Sequence, residues 1–293
     1  MTPRRPQART ETLLRDRIQR VFRELPPALA GDEEAIHQVR VAGRRLRVAL
    51  PLLVRKDRGR PLTRALRVLR QLTRAFGSGR DLDVHVGLLA DRLAAVEVSS
   101  REQRLLLGRL RGARARGRRQ LAEAVLDLDI DGLRRNLRRL LQQGAAESAS
   151  VLARAAASRD AEASALLGGF SHAGDRYLPD ALHALRRSIR RLRYTAELED
   201  AIFGTDRRAP ALWKRLQDGI GTLHDHHVLA AWLEGQARAA AVRGQAALSR
   251  VARRERSFFL AESRRLHTAF VQTRPADLTL RALDAMKRQG VRS

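Results

Sequence analysis

A thirteen-residue segment occurs twice in this chain of 293 residues, and its internal spacing is helical. His37, Arg40, Arg44, Arg45, Leu46 and Arg47 return as His183, Arg186, Arg190, Arg191, Leu192 and Arg193, at a constant offset of 146 positions. A second shared feature follows each copy in the same order. It reads Gly77-x-x-x-Asp81-x-Asp83-Val84 in the first half and Gly221-x-x-x-Asp225-x-His227-Val228 in the second. Ordered recurrence of this kind predicts a duplicated structural unit, and the spacing inside it predicts that the unit is helical.

Apolar residues recur at three- and four-residue intervals almost throughout, and runs of β-branched and aromatic residues are absent. Leu, Ala and Arg, the dominant residues, are good helix formers. The chain is expected to be all-α, with roughly eight to ten helices. Breaks are expected where Gly and Pro cluster: Pro26-Pro27, Lys56 to Pro61, Gly77-Ser78-Gly79, Gly168-Gly169, Gly174 to Pro179 and Gly204 to Pro210. The predicted organisation is a flexible basic tail over 1–11, one helical unit over 12–145, a second over 146–274, and a frayed tail over 275–293.

At about 100° per residue, His37, Arg40, Arg44 and Arg47 fall on one stripe, and Val39, Ala42, Leu46, Leu50 and Leu53 fall opposite. The second copy sets His183, Arg186, Arg190 and Arg193 against Leu185, Ile189, Leu192 and Ala196. Arg45, Arg187 and Arg191 widen the basic faces. After Pro61 the design recurs, with Arg60, Arg64, Arg67, Arg70 and Arg74 against Leu62, Leu66, Leu69 and Phe76. Arg207 and Lys214 are the candidates for the same service in the second half. A solvated helix face interleaves acids with bases at i,i+4, where like charges cost a few tenths of a kcal/mol per pair. These stripes have almost no interleaved acid. An anion that completes them would explain why they are kept.

Net charge is +26, and 55 of the 58 basic residues are arginine. Such a chain attracts polyanions, and the planar guanidinium forks onto phosphate oxygens as an ammonium cannot. General Ala, Arg, Leu and Gly richness accounts for part of the excess. There is no cysteine, which removes disulfides, thiolate metal sites and cysteine nucleophiles and fits a reducing cytoplasm. Neither a signal-peptide core nor a membrane-spanning apolar run is read in the sequence.

His37 and His183 open their helices on the basic stripe. They fit donors to a phosphate oxygen or buried, hydrogen-bonded packing residues; zinc is a third reading, although neither has a ligand at i+4. The run His224-Asp225-His226-His227 has a metal-like composition, but adjacent residues on a helix point apart. Asp81 and Asp225 are expected to cap a helix start or to pair with an arginine. No Walker-type loop, nucleophile elbow or HExxH is present, and neither is a paired-carboxylate arrangement with a base. The chain is therefore read as a binding protein with no cofactor, and aspartates holding magnesium for phosphohydrolysis are the enzyme alternative.

The four ordered motifs, His37 to Arg47, Gly77 to Val84, His183 to Tyr194 and Ile220 to Asp225, resemble those of the CHAD family, the conserved histidine α-helical domain. The resemblance covers about Thr12 to Arg274 and looks like a stand-alone member, without a companion triphosphate-tunnel domain. It implies two four-helix bundles related by a pseudo-two-fold axis, with a basic cleft or central pore between them. It also implies binding of inorganic polyphosphate and association with polyphosphate granules. Two departures stand out: Pro51, which suggests a kink or early end of its helix, and His227 in place of Asp83. Nucleic acid is the rival partner, but aromatics are only 4% of residues, so stacking platforms for single strands are scarce.

Overall fold

The computed structural model describes residues 6–55, 59–173, 176–204 and 208–287. Among them are ten helices, five in each half. The first half contains α1 (Pro6–Leu29), α2 (Glu33–Leu53), α3 (Arg60–Ala94), α4 (Arg101–Leu126) and α5 (Ile130–Gln142). The second contains α6 (Ser148–Ala173), α7 (Pro179–Phe203), α8 (Arg208–Val242), α9 (Ala246–Gln272) and α10 (Pro275–Lys287). α3 and α8 both have 35 residues, and α5 and α10 both have 13. The all-α expectation holds; one isolated antiparallel bridge, Val54 with Ala145, ties the end of α2 to the α5–α6 linker.

Local chemistry sets the ends. Asp32 caps α2 by accepting from the Ala35 amide at 2.7 Å, with Glu33 and Glu34 in the positive first turn. Ser100 and Gln103 form a reciprocal capping box at α4. Proline begins both α3 and α7, where its missing N–H is harmless. Gly204 ends α7 in the left-handed region, φ 69°. Pro51 stands near the end of α2, which stops at Leu53, so the early end holds. The guanidinium of Arg154 on α6 then donates to the Val54 carbonyl at 2.7 Å.

Several expected breaks are absent. α3 runs unbroken through Gly77, because Phe76 is buried in one core and Val86 and Leu89 in another. Gly168-Gly169 lies inside α6. A Cβ on Gly169 would come within 2.6 Å of the Leu185 side chain, so this glycine permits close helix approach and makes no turn. α1 continues past Pro26-Pro27 to Leu29. Neither expected tail is loose over its described part. Thr10 is buried, and Arg9 donates to the Ile202 carbonyl at 3.3 Å. In α10, Leu278, Thr279, Ala282, Leu283 and Met286 are buried, and Trp213 Nε1 meets Met286 Sδ at 3.2 Å. The apolar period of 278–286 outweighs the proximity to a terminus.

The interior falls into three clusters. One joins α1, α2, the front of α3, the end of α4, α5, the start of α6 and the end of α7. A second joins α6, α7, the front of α8, the end of α9 and α10. The third is built from both halves: Val86, Leu89, Leu106 and Leu110 pack with Leu229, Leu233, Ala237 and Phe259. α3 and α8 each serve two clusters, and this sharing sets how the halves face one another.

Candidate functional site

α2 and α7, the two helices that carry the repeated segment, pack directly against each other. Their apolar stripes are consumed by their own cores: Val39, Leu46 and Leu50 in one, Leu185, Ile189 and Leu192 in the other. The basic stripes are thereby turned toward each other. Burial lowers the proton affinity of Arg44, and Arg190 and Arg40 lower it further, to a pKa of about 9. Arg190 is lowered to about 10 by burial, then by Arg186. Two half-buried guanidiniums from different halves are thus held close together.

Arg40 and Arg186 stand at matching places. Arg40 pairs with Asp81 on α3 at 3.1 Å, and Arg186 with Asp225 on α8 at 3.5 Å. The aspartates therefore lie within long helices and pair with arginine; they cap nothing. Arg186 Nε is buried with no hydrogen-bond partner among the described residues.

Other stripe residues have different surroundings. Glu197 accepts from Arg45 at 2.8 Å and from Arg193 at 2.9 Å, bridging α2 and α7. Arg17 donates to the Arg45 carbonyl at 3.3 Å. Arg191 pairs with Glu162 on α6. Acids on neighbouring helices thus partner arginines whose own helices offer few. Arg47 donates to the Thr73 hydroxyl at 3.2 Å. Its proton affinity is lowered by burial first, then by Arg70, Arg191 and Arg74, so α3 joins the basic region. Arg60, Arg64, Arg67, Arg70 and Arg74 are all exposed along α3, and Arg187 is exposed on α7. Lys214 pairs with Asp218. Arg207 lies outside the described residues.

His37 is half-buried on α2. His183 lies against His224, with ring centroids 5.1 Å apart. Burial, then Arg186 and His183, pushes His224 down to about 4, and burial followed by Arg187 lowers His183. His224 is therefore neutral at pH 7, and protonation of His183 is disfavoured. The other residues of that run diverge: Asp225 meets Arg186, His226 meets the Thr222 carbonyl, and His227 meets Tyr177. Among the described residues no three His, Cys, Asp or Glu side chains are placed to hold a metal ion.

The replacement of Asp83 by His227 has a structural meaning. In the first half Arg118 on α4 reaches Asp83 at 3.3 Å and also Glu33 at the start of α2. In the second half an uncharged chain takes this place. Ser263 on α9 donates to the Leu223 carbonyl at 2.7 Å, so its oxygen accepts from Tyr177, also at 2.7 Å. The Tyr177 oxygen then accepts from His227 Nδ1 at 2.9 Å. Both devices clamp the start of α2 or α7 to its neighbours and hold the basic stripes in register.

The Arg45 guanidinium lies 5.8 Å from the centroid of the buried Tyr194 ring. Sequence reasoning missed Arg17, Tyr194 and Glu197. Glu197 was visible as the i+4 partner of Arg193; Tyr194 and Arg17 required knowing that α1, α2 and α7 converge. No helix among the described residues is long and apolar enough to cross a membrane.

A search of curated proteins gives no match. Among solved structures, the crystal structure of the CHAD domain from the plant Ricinus communis is similar. Its TM-score is 0.63 at 21% identity, over 97% of this chain and 91% of that one. The family description "CHAD domain" matches residues 12–234, more than half of the chain. Together with the repeated His-x-x-Arg helices at its centre, this match shows that the chain belongs to the CHAD domain family.

Proposed function

We propose that this protein binds long-chain inorganic polyphosphate on the arginine face shared by α2, α3 and α7, without acting on it chemically, and that it does so at polyphosphate granules. One observation carries the reading. Arg44 and Arg190 are brought together from the two halves, half-buried, with Arg40 and Arg186 beside them. Like charges held in a region of reduced solvent cost free energy. A phosphate chain threaded between them turns that cost into charge-assisted hydrogen bonds, each worth about 1.5–3 kcal/mol. A linear polyphosphate has no bases to read, so charge density along a track suffices. Among the described residues no Trp, Tyr or Phe is fully exposed, so stacking surface for a nucleobase is scarce.

The test is titration calorimetry with size-defined polyphosphate at roughly 150 mM salt, with duplex DNA and triphosphate as controls. Submicromolar binding of long chains, weaker binding of DNA and a steep fall with salt are expected. Equal or tighter binding of DNA overturns the reading. Phosphate release in magnesium or manganese would make the protein an enzyme.

His183 and His224 give a second expectation. Burial and the facing arginines outweigh the pull of Asp180 on His183 and of Asp81 on His224, so their protonated forms are disfavoured in the free protein. A bound polyanion reverses that balance. Binding therefore takes up protons, and affinity rises several-fold as pH falls from 7 toward 5. Calorimetry in buffers of different ionisation enthalpy reads the uptake directly. A His183→Gln/His224→Gln protein should show a flatter pH profile; an unchanged profile would remove the histidines from the site.

A further inference from the structure

α3 and α5 enclose a cleft of about 320 Å³ lined by Arg64, Arg67, Asp129, Arg135, Asn136 and Arg139. Four guanidiniums thus face one acid. That acid is already engaged: Asp129 caps α5 by accepting from the Gly132 amide at 2.7 Å, and it lies 3.7 Å from Arg135. The Asn136 amide is committed to the Gly132 carbonyl at 2.7 Å. The four arginines are exposed around a concave surface, where their fields add.

The matching region of the second half has fewer cations. The buried residues of α5, Gly132, Leu133, Asn136, Leu137 and Leu140, correspond to Leu278, Thr279, Ala282, Leu283 and Met286 of α10 at a constant offset of 146. Arg135 and Arg139 then correspond to Arg281 and Ala285. The buried Leu69, Leu72 and Phe76 of α3 correspond to Trp213, Leu216 and Ile220 of α8 at an offset of 144. Arg64 and Arg67 then correspond to Arg208 and Ala211. A general preference for arginine would load both halves alike, yet the cleft has four cations where its counterpart has two.

The cleft is also continuous with the central site. Arg64, Arg67, Arg70 and Arg74 step along α3 over roughly 15 Å of helix rise, and Arg70 and Arg74 adjoin Arg47. We infer that the α3–α5 cleft is a second phosphate-binding subsite, which takes one stretch of a linear oligophosphate whose other stretch lies at Arg44 and Arg190. This inference rests on the polyphosphate reading above. Two subsites on one flexible ligand act through effective concentration, so a chain long enough to reach both gains affinity that a shorter one does not.

The experiment measures dissociation constants for chains of stepped length, from triphosphate to long polymer, for four proteins. These are the wild type, Arg135→Glu/Arg139→Glu, Arg44→Glu/Arg190→Glu, and a control, Arg250→Glu/Arg253→Glu. The control changes exposed arginines of α9 and has the same change in net charge as the cleft variant. Wild-type affinity should climb in two steps with length. The cleft variant should lose only the second step, by tenfold or more relative to the control. A cleft variant that matches the control at every length overturns the subsite while leaving central binding intact. Loss of triphosphate binding in the cleft variant alone would overturn the shared-chain arrangement in favour of an independent short-phosphate site. A wild type that binds no polyphosphate overturns both this inference and the reading beneath it.

Discussion

Arg44→Glu/Arg190→Glu is expected to weaken polyphosphate binding at least about 100-fold, from the loss of two charge-assisted contacts at about 1.5–3 kcal/mol each, while leaving helicity intact. The stability outcome is the sharper part. Both side chains now repel Arg40 and Arg186 in a half-buried setting. Glutamates there would attract the same arginines, so the melting temperature of the ligand-free protein should hold or rise. Loss of binding together with loss of folding would point to a structural role for the pair. Unchanged affinity would remove it from the site. Lysine at both positions keeps the charge but loses the bidentate fork, and should fall between wild type and glutamate.

The largest stability effect is expected away from the site, at the packing of α6 on α7. Arg159 Nη1 meets Glu199 at 3.2 Å, with side chains 12% and 5% exposed. Glu199 Oε2 is buried with no hydrogen-bond partner among the described residues. Burial outweighs the pull of Arg159 and pushes Glu199 up to about 7. A carboxyl raised in this way contributes stability that is fully present below its unfolded value, near 4.5, and is lost as pH rises through 7. Arg159→Gln removes the cation that offsets the ionised form. It should cost about 3 kcal/mol at pH 8 and clearly less at pH 5, where Glu199 is already protonated. Urea midpoints of the two proteins at both pH values measure this. An equal loss at both would show that Arg159 acts by packing alone.

The helices and the repeated basic stripes were legible because both are local. Val39, Leu46 and Arg44 announce their faces through a period that the chain displays within a few turns. Three kinds of feature were not legible. Glycine has two uses, and Gly169 looks the same in sequence whether it makes a turn or admits Leu185. The partners of Arg40, Arg45, Arg186 and Arg191 come mostly from other helices, so counting acids at i+4 overstated how unneutralised the stripes are. Arg135 and Arg139 reach the α3 row only through the packing of α5, and no spacing along the chain links them to Arg64.

Residues 12–145 alone would present Val86, Leu89, Leu106 and Leu110 to water, because the side chains that cover them belong to α8 and α9. A lone half is thus a sticky object whose natural cover is another half. Separating the halves would uncover this cluster, so unfolding is expected to dismantle the arginine face and the scaffold together.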